Sequence, residues 1–436
     1  FILGRPAFLS LYCLLGLAAC SPSVFDGSSR LVYTGATHAL LISPSTAYGA
    51  PRPTLSSSFS SASLPDGSIL LSSFHASLFY NAKTDLWIDA GSTAPIENFS
   101  SLSALPDGRI MATGGVDTSI TILPDVLFYS PSTNEWTPGP PSPALHAAGS
   151  ATLLEGGKVM VSGGFDNLLT PVGTSQIFDG TTWAMKSPLN HPRSGHLMAA
   201  LPGGKVIVAG GTDDFVDVPA TEIFDPQLDQ WMVGNPMPHG KRQFPYITLK
   251  DGRIFSAGGS NVNGDILFSA EIYDPATGLW SSVAPMSYSR QSFALGLLPD
   301  GRVIAAGGYG FDPDGNSMQH NSTEIFDPGT STWSAGPFLA ERREGLALSI
   351  SPEGTLIAHG GVPSPGPELR STEIIKIYPT KVPLTINGGT PPFTYSVVSG
   401  AGFTYDSSFY SSKAGTSKLQ VKDSKGHIAN FDITVE

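Results

Sequence analysis

The sequence predicts an all-β chain: a seven-bladed β-propeller followed by a small C-terminal β-sandwich. Three observations predict it. The six tryptophans, Trp87, Trp136, Trp183, Trp231, Trp280 and Trp333, are spaced 49, 47, 48, 49 and 53 residues apart. A fixed period of that size marks a repeat architecture. Ahead of each Trp stands the same phrase, best seen as LPDGRVIAAGG (298–308) followed by STEIFDPGTSTW (322–333). Gly-Gly pairs recur at Gly114-Gly115, Gly163-Gly164, Gly210-Gly211, Gly258-Gly259, Gly307-Gly308 and Gly360-Gly361.

Each period reads as four short strands. The first is small and apolar, as in HLMAAL (196–201). An Asp-Gly or Gly-Gly turn follows, where Gly and Asp tolerate the positive φ of a tight hairpin. The second strand, KVIVAGG (205–211) in the fourth blade, is apolar on both faces and so buried on both. The third, TEIFDP (221–226), is stopped by Pro226, with Asp225 placed to close an Asx turn. The fourth carries the Trp. Four antiparallel strands per period have apolar faces that only neighbouring blades can cover, so the repeats close into a ring. The Gly-Gly pair allows close approach between blades, and the Trp fills the wedge beside it, burying about 150–250 Å².

The apolar strand ending in Gly-Gly, the Tyr/Phe-Asp-Pro phrase and the spaced Trp resemble the kelch repeat family over about residues 54–378. The resemblance implies the fold of the galactose oxidase central domain and specifies little about function.

Seven second-strand phrases are present. The first, LPDGSILLSS (64–73), has Ser72-Ser73 in place of Gly-Gly. The seventh, GTLIAHGG (354–361), is followed by STEIIKIYP (371–379) but by no Trp. The seventh blade therefore lacks its fourth strand, and RLVYTGATHALLIS (30–43) is expected to supply it and close the ring. The propeller is placed at 30–379. Residues 380–436 alternate at period two between Gly and Asp-Ser turns and resemble a small bacterial immunoglobulin-like module.

The net charge of −12 argues against nucleic acid, whose phosphates need clustered Lys and Arg. The run AFLSLYCLLGLAAC (7–20) is short for a bilayer span and reads as the core of a signal peptide, residues 1–19. Its Leu17-Ala18-Ala19-Cys20 ending resembles a bacterial lipobox. That resemblance implies lipidation of Cys20, a linker at 20–29 and retention at the cell envelope, with Ser21 suggesting the outer membrane. The bland alternative is a buried Cys in an apolar stretch. Once Cys13 leaves with the signal, the mature chain has no disulfide and no Cys metal ligand.

The start of strand one and the loop between strands two and three fall on one face. Counting 17 residues back from each Gly-Gly gives Glu97, His146, Arg193, Lys241 with Arg242 beside it, Arg290 and Arg343. This ring is a candidate ligand site, since Arg can grip a carboxylate or sulfate bidentately. A structural reading stands beside it. Glu222, Glu271, Glu324 and Glu373 open the third strands of the same blades that carry Arg or Lys, whereas Leu127 and Gln176 replace them where the ring has Glu97 and His146. Acid and base appear together, as structural ion pairs would.

Asp312, Asp314 and Asn316 have the alternate spacing of a calcium loop but lack its Gly and closing Glu, and Asp213, Asp214 and Asp217 form a looser acidic group. Neither is assigned a metal, and no cofactor is expected. The resemblance to galactose oxidase does not extend to its radical copper site, which needs a Cys cross-linked to Tyr. SQIFDGTTW (175–183) fails the Asp-box pattern of sialidases. Resemblance to kelch-type sugar epimerases leaves Glu97, His146, Arg193 and His196 as acid–base candidates. The expectation is a non-enzymatic, lipid-anchored module that binds a protein or a glycan. The alternative is a sugar epimerase or lyase acting on the channel face.

Overall fold

The computed structural model describes residues 60–73, 76–84, 86–91, 101–117, 121–213, 215–350, 355–361, 372–387, 393–399, 403–405, 408–411, 415–426 and 428–435, with short strands at 9–13, 30–33 and 37–40. The chain divides into two compact units, 45–352 with 356–374, and 1–44 with 353–355 and 375–436.

The larger unit is an all-β kelch propeller. Six four-stranded sheets follow one another along the chain, and in each the strands lie in sequence order. They begin at Ser60, Ser101, Ser150, Leu197, Tyr246 and Ala294. Among the described residues six four-stranded blades are formed, against the seven expected; after them Ala347–Ile350 pairs antiparallel with Thr355–His359. The second strands are buried along their whole length, as at Val206–Ala209 and Val303–Ala306. Apolar side chains on both faces of these strands are what the neighbouring blades cover.

The Trp positions repeat one contact. In each of six blades the Trp pairs directly across the strands with an aromatic of strand three, as Phe224 with Trp231 and Tyr273 with Trp280. Ring centroids lie 5.1–5.3 Å apart and tilted, a spacing in the attractive range for aromatic pairs. The indole N–H reaches back to the preceding blade, donating to the carbonyls of Ala90, Pro140, Ser187 and Ala284 from Trp136, Trp183, Trp231 and Trp333. Asp225 closes its expected turn by accepting from the Gln227 N–H at 2.9 Å.

The Gly-Gly pairs do what only glycine permits. Gly258 has φ +58, and a Cβ there would sit 2.5 Å from the Arg290 carbonyl oxygen of the next blade. Its neighbour Gly259 donates to that same carbonyl at 2.9 Å. The contact is repeated from blade to blade, as Gly164 to Arg193 and Gly308 to Arg343.

In the smaller unit, Thr394–Ser399, Gly415–Lys422 and Ile428–Val435 form an antiparallel sheet, with Leu9–Cys13 added parallel at the edge of Ile428–Val435. The strand Thr372–Asn387 runs unbroken across the boundary expected at 379/380. Arg30–Tyr33 and Thr37–Leu40 pair antiparallel with its later residues, Ala39 opposite Tyr378 and Leu40 opposite Ile377. The lipobox cysteine, Cys20, lies outside the described residues.

Candidate functional site

The ring of ionisable residues is interior. His146, Arg193, Lys241, Arg290 and Arg343 are buried, the last four with no exposed surface. Arg242 is half-buried and makes no ion pair among the described residues. Glu97 lies outside the described residues. Each buried cation meets the glutamate of its own blade. Arg193 Nη2 donates to Glu222 Oε1 at 2.8 Å, Arg290 Nη2 to Glu324 Oε1 at 3.1 Å and Arg343 Nη2 to Glu373 Oε1 at 2.8 Å. Lys241 Nζ donates to Glu271 Oε2.

The remaining donors are saturated too. Arg290 Nη1 donates to the Gly307 carbonyl at 2.6 Å and the Ser322 carbonyl at 3.1 Å. Arg193 and Arg343 reach Gly210 and Gly360 in the same way. The glutamates in turn accept backbone N–H groups from the link that enters the blade. Glu324 accepts from Ser287 at 2.7 Å and Tyr288 at 3.3 Å, and Glu373 accepts from Ala340 at 2.6 Å and Glu341 at 3.2 Å. One carboxylate thus clamps the incoming link, the cation and strand three together. Removing one charge would strand the other in a dry interior.

The electrostatics fit paired ions. Burial lowers the Arg290 and Arg193 guanidinium values, with Glu324 and Glu222 acting against it, and both remain cations. Burial pushes the Glu271 carboxyl up, but the Lys241 charge and the bonds from Lys241 and His239 outweigh it and hold Glu271 below its usual range. The third blade uses a neutral version, with Gln176 Nε2 3.4 Å from His146 Nδ1 and 2.7 Å from Ser142 Oγ. His146 and His196 are both buried, and burial, joined by the Arg193 charge, drives His196 down to about 3. None of His146, Arg193 and His196 presents a titrating atom to solvent at neutral pH.

What the ring supports is a loop face. The loops between strands two and three, with the links from strand four to the next strand one, carry all four exposed phenylalanines among the described residues. These are Phe215, Phe268, Phe311 and Phe338, and Leu168, Leu169 and Val216 join them there. Phe268 and Phe311 line a groove of about 400 Å³ with Ile266, Met286, Asp312 and Pro313. Loops 115–125, 164–174, 211–220, 259–269 and 308–322 contain no Lys or Arg. Their described acids are Asp117, Asp125, Asp166, Asp213, Asp217, Asp265, Asp312 and Asp314. Neighbouring loops are stitched together: the Ile122 N–H donates to Asn167 Oδ1 at 2.7 Å, and the Val262 N–H to Asp217 Oδ2 at 2.9 Å. The segment with calcium-loop spacing holds a hairpin, Tyr309–Phe311 against Ser317–Gln319, with Asp312 accepting from the Asp314 and Asn316 N–H groups.

This apolar face does not stand out in the sequence, because its phenylalanines follow no period. The one signal it leaves there is the pairing of large apolar residues with loops free of Lys and Arg.

Together these features define a kelch-repeat β-propeller. The Kelch motif matches residues 248–287, the fifth sheet. No curated protein sequence matches this chain. Among solved structures it is similar to a novel fungal alcohol oxidase of the AA5 family, in complex with copper. That match has a TM-score of 0.57 at 15% identity and covers 93% of this chain and 99% of the oxidase. The propeller therefore has a galactose-oxidase/AA5-like fold. The copper of that oxidase finds no matching set of donors among the described residues. Among the described residues no three His, Cys, Asp or Glu side chains gather where a metal ion would sit. The buried histidines His146, His196, His320 and His359 belong to different blades.

Proposed function

We propose that this chain is a non-enzymatic binding module. In this reading it is a seven-bladed kelch propeller held at the bacterial cell envelope, at the outer membrane, by lipid on Cys20. It takes a protein or glycan ligand on its loop face. The observation that carries the reading is the concentration of every exposed Phe among the described residues on one face. Exposed apolar side chains grouped on one face, two of which, Phe268 and Phe311, line one groove, mark an interaction site, and rigid aromatic anchors supply most of the binding energy at such sites. The saturated ion pairs beneath favour binding over catalysis, since their charges are held by carbonyls and carboxylates rather than offered to a substrate.

Closure by residues 30–43 is supported by the pairing of Thr37–Leu40 with residues 377–381, where blade seven lacks a strand. The C-terminal residues are read as an immunoglobulin-like module.

The test immobilises the purified chain against glycan and peptide arrays and repeats the measurement with Phe268→Ser and Phe311→Ser. Retention that is lost in both variants, at unchanged melting temperature, supports the module. Retention indifferent to both, or turnover of a sugar by epimerisation or elimination, refutes it. For the anchor, Cys20→Ser should abolish lipid labelling and release the protein to the soluble fraction.

A further inference from the structure

We propose that the partner of the loop face is a basic protein segment that also carries apolar side chains. This rests on the binding-module reading and names its ligand. Two properties of the face select the partner. The groove between Phe268 and Phe311 is walled by Ile266, Met286 and Pro313 and asks for an apolar side chain. Around it, the loops of five successive blades bear eight described aspartates and no Lys or Arg. Among the described residues the bases exposed on this face come from the links: Arg242, half-buried, Arg342, exposed, and the half-exposed His191 and His239.

Hydrogen bonds from the Asn316 backbone and side chain hold the Asp312 carboxyl below its usual range. The Asp213 carboxylate accepts the Phe215 and Val216 N–H groups at 3.1 and 2.9 Å. A field of one sign steers and selects partners of the other. Sulfated or uronic glycans would be repelled, and neutral sugars would desolvate these carboxylates without neutralising them. A bare cation finds no gathered ligand set among the described residues. A Lys- or Arg-rich segment satisfies the carboxylates while its apolar residues fill the groove. The stitched loops present this surface already ordered, which lowers the cost of association.

The probe is an array of random 15-residue peptides exposed to the intact protein, followed by anisotropy titrations of the retained peptides. Bound sequences should be enriched in Lys and Arg together with Phe, Leu or Trp. Affinity should fall about tenfold or more between 50 and 500 mM salt, as screening removes the long-range field. The pair Asp265→Asn with Asp314→Ser should weaken binding about three- to tenfold, mainly through the association rate. Phe268→Ser with Phe311→Ser should weaken it at least about tenfold. Retained peptides that are neutral or acidic, or binding indifferent to salt and to the Asp pair, overturn the proposal. Retention of a neutral glycan that depends on the Phe pair but not on the Asp pair leaves the binding module standing and removes the basic segment. Retention of nothing removes both.

Discussion

The two faces of the propeller treat the same residue types in opposite ways. On the face of the 1–2 and 3–4 turns, charges are neutralised where they stand. Arg109 pairs with Asp107 at 2.7 Å and Arg253 with Asp251 at 2.8 Å, each two residues apart, and Lys83 reaches Asp66 and Lys205 reaches Asp225 at 3.3 Å. Its exposed apolar side chains are scattered leucines such as Leu86, Leu228 and Leu279. On the loop face Arg193, Lys241, Arg290 and Arg343 are drawn inside, the described aspartates lie in loops that contain no Lys or Arg, and four phenylalanines point out. One face is a closed set of turns. The other is a surface whose charge and apolar area are left for something else to satisfy.

The largest expected difference lies in the ion pairs. Arg290→Ala leaves Glu324 buried and uncompensated, and should cost about 3–5 kcal/mol. The double variant Arg290→Ala, Glu324→Ala should lose less than the sum of the single changes, because the two side chains share one interaction. Arg253→Ala on the turn face removes a partly exposed pair and should cost about 0–1 kcal/mol after solvent screening. Chemical denaturation of the parent, both single variants at Arg290 and Glu324, the double variant and Arg253→Ala checks this. Equal losses at Arg290 and Arg253, or strict additivity at Arg290 and Glu324, would erase the distinction.

Next come two glycines. Gly252 in a turn has φ +86 and open space where a Cβ would go, so Gly252→Ala should cost only the backbone penalty of about 1–2 kcal/mol. Gly258, on the loop side, has φ +58, and the Arg290 carbonyl oxygen lies 2.5 Å from where an alanine methyl would sit. Gly258→Ala therefore adds a backbone clash between blades and should cost about 3 kcal/mol or more. Matching melting temperatures for the two variants would mean that the Gly-Gly pair is conformational rather than steric.

How much of this was legible in the sequence follows from what repeats. The Trp, the Gly-Gly pair and the paired appearance of Glu with Arg recur at one period, so the blades and the candidate ion pairs could be read by superposing the repeats. Counting positions cannot tell a side chain that enters the channel from one folded back under the link. For that reason Arg193, Arg290 and Arg343 could also be read as ligand contacts. The decisive partners are the Gly210, Gly307 and Gly360 carbonyls, and backbone carbonyls leave no mark in a sequence. The exposed phenylalanines escaped for the opposite reason: they occur once each, in loops of different length. Blade one has Ser72-Ser73 in place of Gly-Gly, and there the Ser77 hydroxyl donates to Ser72 at 3.1 Å.

The faces should also part with pH. His196 titrates near 3 in the fold and near 6.5 when unfolded, so the unfolded chain takes up the proton first. Its contribution is present above about pH 6.5 and declines as pH falls, amounting to about 2 kcal/mol lost by pH 5. His320, lowered to about 4 by burial and the Arg290 charge, acts in the same direction. On the turn face, Asp251 is held low chiefly by its hydrogen bond from Arg253, and its contribution disappears only as pH falls below the ordinary carboxylate value. Urea midpoints should therefore drop between pH 6.5 and 5, and His196→Asn should flatten that slope while Asp251→Asn leaves it unchanged. A slope that survives His196→Asn would place the acid sensitivity elsewhere.

The smallest effect is a difference of sign. Asp314 is exposed, sits two residues from Asp312 and has no Lys or Arg in its loop. Repulsion among like charges works against the compact state, so Asp314→Ser should raise the urea midpoint slightly at low salt. Asp251→Asn deletes the partner of Arg253 and should lower it, by no more than the fraction of a kcal/mol typical of exposed pairs. Both changes should shrink toward zero in about 1 M salt, where the Debye length is about 3 Å. Opposite signs at low salt that converge at high salt mean that the loop face holds charge at the expense of its own stability. A surface with no partner has no reason to keep that arrangement. If Asp314→Ser also lowers the midpoint, the loop charges are structural, and only the groove, which selects an apolar side chain, is left to choose a partner.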